Sequence, residues 1–471
     1  MIADLKPYPK YKESGLPWLG QMPEHWLTRR LRHACEMRVS NVDKHSKRGE
    51  APVRLCNYVD VYKNDRIRES IRFMSASANE DERIRFRLRK GDVIITKDSE
   101  QWNDIGVPSL VECEAPDLVC GYHLAILRSR PELQGPFLHR ALQCHFIAAQ
   151  FHVEANGVTR YGLSHGAIKG VSIPFPPPAE QATIVRFLDW ASGRLERTFR
   201  TKRKIITLLM EQKQAIIQRA VTRGLSTSVP LKPSGVPWIG DIPKHWIVLR
   251  AKYLYREVDE RSTTGSEELL SVSHLTGITP RSEKNITMFK AASYIGHKLC
   301  QPGDLVVNTM WAWMGALGVS THAGIISPAY AVYRPHHSER IVGTYMDGLL
   351  CSRPYLSNII CRSTGLRASR LRLYPDEFLR LPLIQPPSEE QQRIVQAIRR
   401  ETGDLNNAIS RLEREIELLR EYRTRLVADV VTGKLDVREA ASRLPEEAAP
   451  DTAEDADLSE ETEPADEEAA V

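Results

Sequence analysis

The apolar positions of this chain follow two rhythms. From Ala179 to about Thr222 there is no proline, and Leu188, Leu195, Leu209 and Ile216 fall on one seven-residue grid, with Lys202 in the remaining place. A second grid holds Ile398, Leu405, Leu412, Leu419 and Leu426 without a break, and Ile409 and Ile416 lie four residues after Leu405 and Leu412. A seven-residue apolar repeat sustained over four or more heptads predicts a helix packed lengthwise on another helix. Each helix of ~43 residues would extend ~65 Å at 1.5 Å per residue. No single globular core buries that length. The two helices are therefore expected to pack on each other, with globular domains at their ends.

Elsewhere the rhythm is short. Asp92-Val93-Ile94-Ile95-Thr96 and Leu124-Ala125-Ile126-Leu127 read as strands in the first part of the chain, and Asp304-Leu305-Val306-Val307 and Tyr330-Ala331-Val332-Tyr333 in the second. Phe137 to Phe151 has helical spacing. Pro174-Phe175-Pro176-Pro177-Pro178 stops regular structure, because proline lacks the amide donor and fixes its own backbone angle. Thr222-Arg223-Gly224 and Thr432-Gly433-Lys434 end the two helices.

The two rhythms are written twice. Gly15-Leu16-Pro17-Trp18-Leu19-Gly20 returns as Gly235-Val236-Pro237-Trp238-Ile239-Gly240, and Glu24-His25-Trp26 as Lys244-His245-Trp246, both at an offset of 220. Pro176-Pro177 with Glu180-Gln181 returns as Pro386-Pro387 with Glu390-Gln391, and Val221-Thr222 with Leu225 as Val431-Thr432 with Leu435, both at an offset of 210. The repeated unit is far longer than the ~20–50 residues of a solenoid or propeller repeat, so it is domain-sized. Between these landmarks the copies match poorly, apart from Gly91-Asp92 and Gly303-Asp304. A constant frame around two divergent inserts implies two similar targets, read differently.

Charge changes this picture. The chain carries 65 basic and 60 acidic residues, but 12 of the acidic ones lie after Pro445, where there is no basic residue. The body therefore holds 65 basic against 48 acidic residues, a net +17, which suits a polyanionic partner. The eight cysteines form no Cys-x-x-Cys pair, which argues against a zinc ribbon or a redox motif. No signal core and no apolar run of membrane-spanning length is present, so the expected setting is cytoplasmic, with reduced thiols and no membrane contact. Catalytic signatures are missing as well: there is no phosphate-binding Gly-Lys-Ser/Thr loop, no Asn-Pro-Pro-aromatic motif and no Gly-x-Gly after a strand. The adjacent His336-His337 would point to opposite faces of a strand, and Pro375-Asp376-Glu377 reads as the turn that starts a short helix. The chain is expected not to be an enzyme by itself.

With these features assembled, the chain resembles the specificity (DNA-recognition) subunit of type I restriction–modification systems. The resemblance runs from Tyr11 to Leu435. It is carried by Tyr11-Lys12-Glu13-Ser14-Gly15, Pro17-Trp18-Leu19-Gly20 and Pro23-Glu24-His25-Trp26, then by Gly157-Val158-Thr159-Arg160-Tyr161-Gly162-Leu163, Ile173-Pro174 and Pro177-Pro178-Ala179-Glu180-Gln181. Gln218-Arg219-Ala220-Val221-Thr222 and Val430-Val431-Thr432-Gly433-Lys434-Leu435 complete it. The acidic tail lies outside this pattern. The resemblance implies an α+β (mixed α/β) chain, in which two globular target recognition domains alternate with two long antiparallel coiled-coil helices in a pseudo-two-fold repeat. The organisation then reads as a first recognition domain at 1–178, a spacer helix at 179–225, a linker at 226–234, a second recognition domain at 235–387, a second spacer helix at 388–435 and an acidic, disordered tail at 436–471. It further implies a bipartite, asymmetric site on double-stranded DNA. Partner methyltransferase subunits would hold S-adenosylmethionine and methylate adenine, a motor-nuclease subunit would use ATP and Mg, and this chain would carry no cofactor and no metal. Two other readings stand beside it: a self-sufficient DNA methyltransferase or nuclease, and a coiled-coil scaffold that binds DNA without sequence preference.

Sequence reading needs hydrogen-bonding side chains at base edges, whereas phosphate contacts only position the protein. In the first domain the candidates are Lys97, Ser99, Gln101 and Asn103, with Trp102 as either a DNA-facing or a core residue, and Asn156, Thr159, Arg160 and Tyr161. In the second they are Asn308, Arg362, Arg367, Ser369, Arg370 and Arg372, of which the four arginines suit phosphate. Trp311 and Trp313 are expected to share one strand face and to pack.

Overall fold

The computed structural model describes residues 5–283, 293–365 and 371–445. Two compact units emerge. Of the described residues, the first is built from 5–202 and 414–445, and the second from those of 203–413. The two long helices are Pro178–Arg223 and Ser388–Val431, and each contributes one half to each unit. The chain is thus a mixed helix-and-strand protein with two very long helices.

The first unit is organised by a five-stranded sheet in the order Cys35–Val39, Leu124–Ser129, Val93–Thr96, Pro108–Val111, Arg66–Ile67. Its central strands are buried on both faces, and the period of two sorts their side chains. Val93, Ile95, Ala125 and Leu127 enter a core shared with helices, while Ile94, Leu124 and Ile126 enter a second core under the sheet Ala51–Cys56, Met74–Ala78, Leu118–Cys120. The second unit repeats this arrangement with Tyr255–Val258, Ala331–Pro335, Leu305–Val307 and Leu317–Val319. There Leu305, Val307, Ala331 and Tyr333 face one core, and Val306 and Val332 the other.

The repeated landmarks are packing devices. Trp26 and Trp246 are both fully buried. Each sits under the glycine that ends the helix arriving from the other half of the repeat. A Cβ on Gly433 would lie 2.4 Å from the Pro23 ring and 3.0 Å from the Trp26 ring, and one on Gly224 would lie 3.2 Å from the Trp246 ring. Gln181 and Gln391 are buried hooks. Gln181 accepts from the Gln134 amide at 2.8 Å and donates to the Glu132 and Pro176 carbonyls. Gln391 accepts from the Val342 amide at 2.9 Å and donates to the Arg340 and Pro386 carbonyls. Beside them, His25 meets Glu180 at 2.8 Å and His245 meets Glu390 at 2.7 Å. Asp92 and Asp304 each take a bidentate arginine, Arg128 and Arg334, and each also accepts a backbone amide three residues upstream.

The helices pair within each unit. In the first, Glu196 lies 3.6 Å from Arg423, Lys202 bonds Glu415, and Arg423 covers the Phe199 ring, so numbers rise on one helix as they fall on the other. This is antiparallel pairing. Leu188 and Leu195 are buried, as are Ile184, Phe187 and Ala191, and Leu426, Val427, Val430 and Val431 join the same core. In the second unit Ala220 and Val221 share a core with Ile394 and Val395. The grid residues Leu209, Ile216, Ile398, Leu405, Leu412 and Leu419 are half-buried, which is what a seam between only two helices provides.

Three local expectations fail. The stretch expected as a disordered tail from 436 begins folded: Arg438–Ser442 is a helix, and Val437, Ala441 and Leu444 are buried in the first unit's core. Phe137 to Phe151 is not one helix but two, Gly135–Leu142 and His145–Glu154, because Cys144 takes an extended backbone between them. His336-His337 lies beyond the strand, which ends at Pro335. The turn-and-helix reading of Pro375 holds, with a helix at Pro375–Leu379.

Candidate nucleic-acid interface

In the first unit, three loops that are distant in sequence meet at one junction. The chain leaves strand Val93–Thr96, and the Lys97 amide bonds the His123 carbonyl at 2.8 Å while the Lys97 carbonyl accepts from the Leu163 amide at 2.9 Å. Asp98-Ser99 then pairs antiparallel with Tyr161-Gly162. Asn156 and Gly162 exchange backbone bonds of 3.2 and 2.9 Å and close a hairpin over Gly157–Arg160. Gly157 is required there, since a Cβ would lie 1.9 Å from the Arg160 carbonyl oxygen. The two candidate loops of this domain, 97–103 and 156–161, are therefore one surface.

On that surface Gln101, Asn103, Asn156, Thr159 and Arg160 are exposed. Val158 at the hairpin tip is 93% exposed, and Trp102 is 53% exposed with its edge against His152 at 6.2 Å, which takes it out of the core. Tyr161 is half-buried against the core. Ser99 requires a correction: it is buried, and its hydroxyl accepts from the Gln101 amide at 3.3 Å, so it shapes the turn rather than facing solvent. Lys97 is also committed, donating from Nζ to Asp98 Oδ1 at 2.6 Å.

Sequence inspection did not single out Asp98, although it lies within the candidate loop 97–103, and had no reason to include Tyr122 or His123. Asp98 accepts from Lys97 and, on its other oxygen, from His123 Nδ1 at 2.5 Å. Burial raises its carboxyl affinity for a proton, but the hydrogen bonds and charges of Lys97 and His123 outweigh that and hold it below the ordinary carboxylate range. His123 has φ +68°, a left-handed conformation that non-glycine residues seldom adopt. The signal was present only as a Gly-Tyr-His turn before a strand, which is not diagnostic.

The second unit builds the same junction with other residues. Thr364 and Arg372 exchange backbone bonds of 3.0 and 2.9 Å, and the Leu373 amide bonds the Thr309 carbonyl at 2.8 Å, matching Asn156/Gly162 and Leu163/Lys97. Buried Thr309 donates to the Ala329 carbonyl at 2.9 Å and accepts from Arg372 Nε at 3.2 Å. Arg372 is exposed and lies over the Tyr374 ring at 5.6 Å. Two candidates are corrected. Asn308 is only 1% exposed; its Oδ1 accepts from the Met310 amide at 3.2 Å, so it organises the turn. Arg362 is held inward by Asn358 at 2.7 Å and by Glu377 at 3.2 Å, which spends its charge inside the domain. Arg367, Ser369 and Arg370 lie outside the described residues. Trp311 and Trp313 do not share a strand face: the strand ends at Val307, Ala312–Met314 is a 3-10 turn, and the two rings stack at 5.9 Å.

No protein-family model matches the sequence. Solved structures do match. A chain from work on complex assembly and conformational transition of the type I R-M system superposes with a TM-score of 0.58 at 17% identity, over 88% of this chain and 99% of that one. The HsdS subunit from Thermoanaerobacter tengcongensis aligns over 88% of this chain and 98% of its own, at 18% identity and a TM-score of 0.43. The type I restriction–modification S subunit from M. genitalium aligns over 86% and 96%, at 12% identity and a TM-score of 0.32. The first of these carries the comparison: over almost its whole length, this protein has the fold of a chain of a type I restriction–modification system.

Proposed function

We propose that the chain is the specificity subunit of a type I restriction–modification complex, a non-catalytic protein that binds a bipartite, asymmetric site on double-stranded DNA. The observation that supports this most is the doubled junction. One frame, built twice, presents two unlike sets of exposed side chains: Gln101, Trp102, Asn103, Thr159 and Arg160 in one copy, and Arg372 with Tyr374 in the other. Amides and guanidinium groups suit base edges and phosphates, and exposed aromatics suit stacking or sugar contacts. The chain brings recognition only. Methyltransferase subunits would supply S-adenosylmethionine and methylate adenine, and a motor-nuclease subunit would supply ATP and Mg for restriction.

Partner subunits would dock on the outward faces of the long helices. Those faces are charged, but on the first helix they also expose Ile205 (41%) and Leu208 (55%). The decisive experiment maps methylated adenines in the host genome with and without this gene. Loss of a split, non-palindromic motif on deletion is expected, and an unchanged pattern in a host that methylates adenine would sink the reading. Methylation or cleavage by the purified chain alone would instead establish a self-sufficient enzyme.

A further inference from the structure

We propose that Asp98 is a positioning residue that sets the shape of the first domain's reading surface, by tying three loops into one register. The inference rests on the DNA-recognition reading above and deepens it. Asp98 touches each loop. Its side chain receives Lys97 Nζ at 2.6 Å and His123 Nδ1 at 2.5 Å, and its backbone pairs with Gly162. The approach is close: a Cβ on Gly162 would lie 2.9 Å from Asp98 Oδ1, so the carboxylate rests directly against the hairpin strand. The Lys97 amide also bonds the His123 carbonyl, so Lys97 and His123 are each held at two points.

The arrangement costs backbone strain, which the fold retains. His123 keeps a left-handed conformation while its ring reaches Asp98, and its ring lies 3.9 Å from that of Tyr122. Asp98 is itself half-buried, so it does not compete with Gln101, Asn103, Thr159 or Arg160 for a ligand. It acts through them. A shift of one loop against the other would move amide and guanidinium groups off base edges, where a hydrogen bond tolerates only a few tenths of an ångström. In the second domain Met310 follows Thr309 where Asp98 follows Lys97. There Thr309 joins the Ala329 carbonyl to Arg372 across the equivalent junction. The two half-sites are thus positioned by different chemistry, which makes each an internal control for the other.

The test uses the full chain expressed with its methyltransferase partner in a methylation-free host, read by mapping methylated adenines. Asp98→Asn is nearly isosteric but turns an amide toward Lys97. The expected result is about tenfold weaker discrimination at the bases of one half of the motif, with the other half unchanged. Thr309→Val should relax the opposite half. His123→Asn tolerates the left-handed backbone and keeps a donor toward Asp98, so it should preserve the motif, whereas His123→Gly, which removes the donor, should relax the same half as Asp98→Asn. Thermal unfolding of each variant separates loss of register from loss of fold. A motif unchanged in both Asp98→Asn and His123→Gly, or a uniform fall in methylation that tracks unfolding in both, overturns the inference. Absence of any split motif in the wild type would instead overturn the recognition reading itself.

Discussion

At the scale of single residues, the repeat is a set of positions where one side chain settles a packing problem. Gly433 combines φ +77° with a Pro23 ring 2.4 Å from where its Cβ would be. Gly433→Ala is therefore expected to destabilise the first unit by about 2–3 kcal/mol, from backbone strain and overpacking together; denaturant unfolding with a loss under half of that would refute the account. Gln391 serves three backbone groups. Gln391→Ala would take the partner from the Val342 amide and the Pro386 carbonyl, while the Arg340 carbonyl keeps Gln385 Nε2, at about 1–3 kcal/mol. Asp347 gives a pH signature. Its carboxylate accepts the Val319 amide at 2.7 Å, and burial lifts its pKa from 3.8 to about 7. A carboxyl raised in the folded state is protonated there below pH ~7 while the unfolded chain ionises from pH ~4, so its cost to stability grows between those values and is complete above. Asp347→Asn should leave stability unchanged near pH 4 and raise it by up to about 4 kcal/mol above pH 7. Thermal scans at pH 4 and pH 8 that show the same change would contradict this. Of the candidates that pattern inspection named, Gln101, Asn103, Thr159 and Arg160 are exposed. It misjudged Ser99, Asn308 and Arg362, because a polar residue in a turn bonds its own backbone as readily as a ligand.

At the scale of elements, the long helices and the central strands were legible because their periods, seven and two, recur many times. The expected helix starts came within one residue of Pro178–Arg223 and Ser388–Val431, while the expected ends at 225 and 435 overrun by two and four. The single irregularity on the first grid, Lys202, is half-buried and bonds Glu415 on the partner helix. Lys202→Leu would complete the apolar seam. It is expected to be neutral or to stabilise by about 1 kcal/mol, while loosening the register that a polar seam residue imposes. A loss of stability above 1 kcal/mol in denaturant unfolding would instead make the ion pair a net stabiliser. The break at Cys144 was not legible: its residues keep helical spacing, and only the packing of two separate helices against one core turns the chain there.

At the scale of the molecule, each half of the repeat completes the other. The core around Trp26 contains the end of the second long helix, and the core around Trp246 contains the end of the first. In the first unit the two ends of the described chain also meet: the Asp436 amide bonds the Lys6 carbonyl at 2.8 Å, and the Tyr11 hydroxyl bonds the Lys434 carbonyl at 3.2 Å. That contact stands where, in the second unit, the polar stretch after Gly224 runs on unbroken into Leu231–Pro233. A circular permutant that joins residue 445 to residue 5 through a flexible glycine-serine linker, so that the buried Val437, Ala441 and Leu444 are kept, and that opens the chain within 226–230, should fold with its unfolding midpoint within a few degrees of the parent. A permutant that is unfolded by circular dichroism would disprove the equivalence. The sequence by itself determined the repeat, the two helices, the buried strands and the basic balance of the body. All of these are local patterns or sums, and each is repeated enough to outweigh accidents. Only the tertiary structure decided that loops 97–103 and 156–161 form one surface, that Asp98 and Thr309 occupy corresponding junctions, and which polar residues face inward. Those outcomes depend on backbone pairings across tens of residues, such as Tyr161 with Ser99, and short-range pattern carries no record of them.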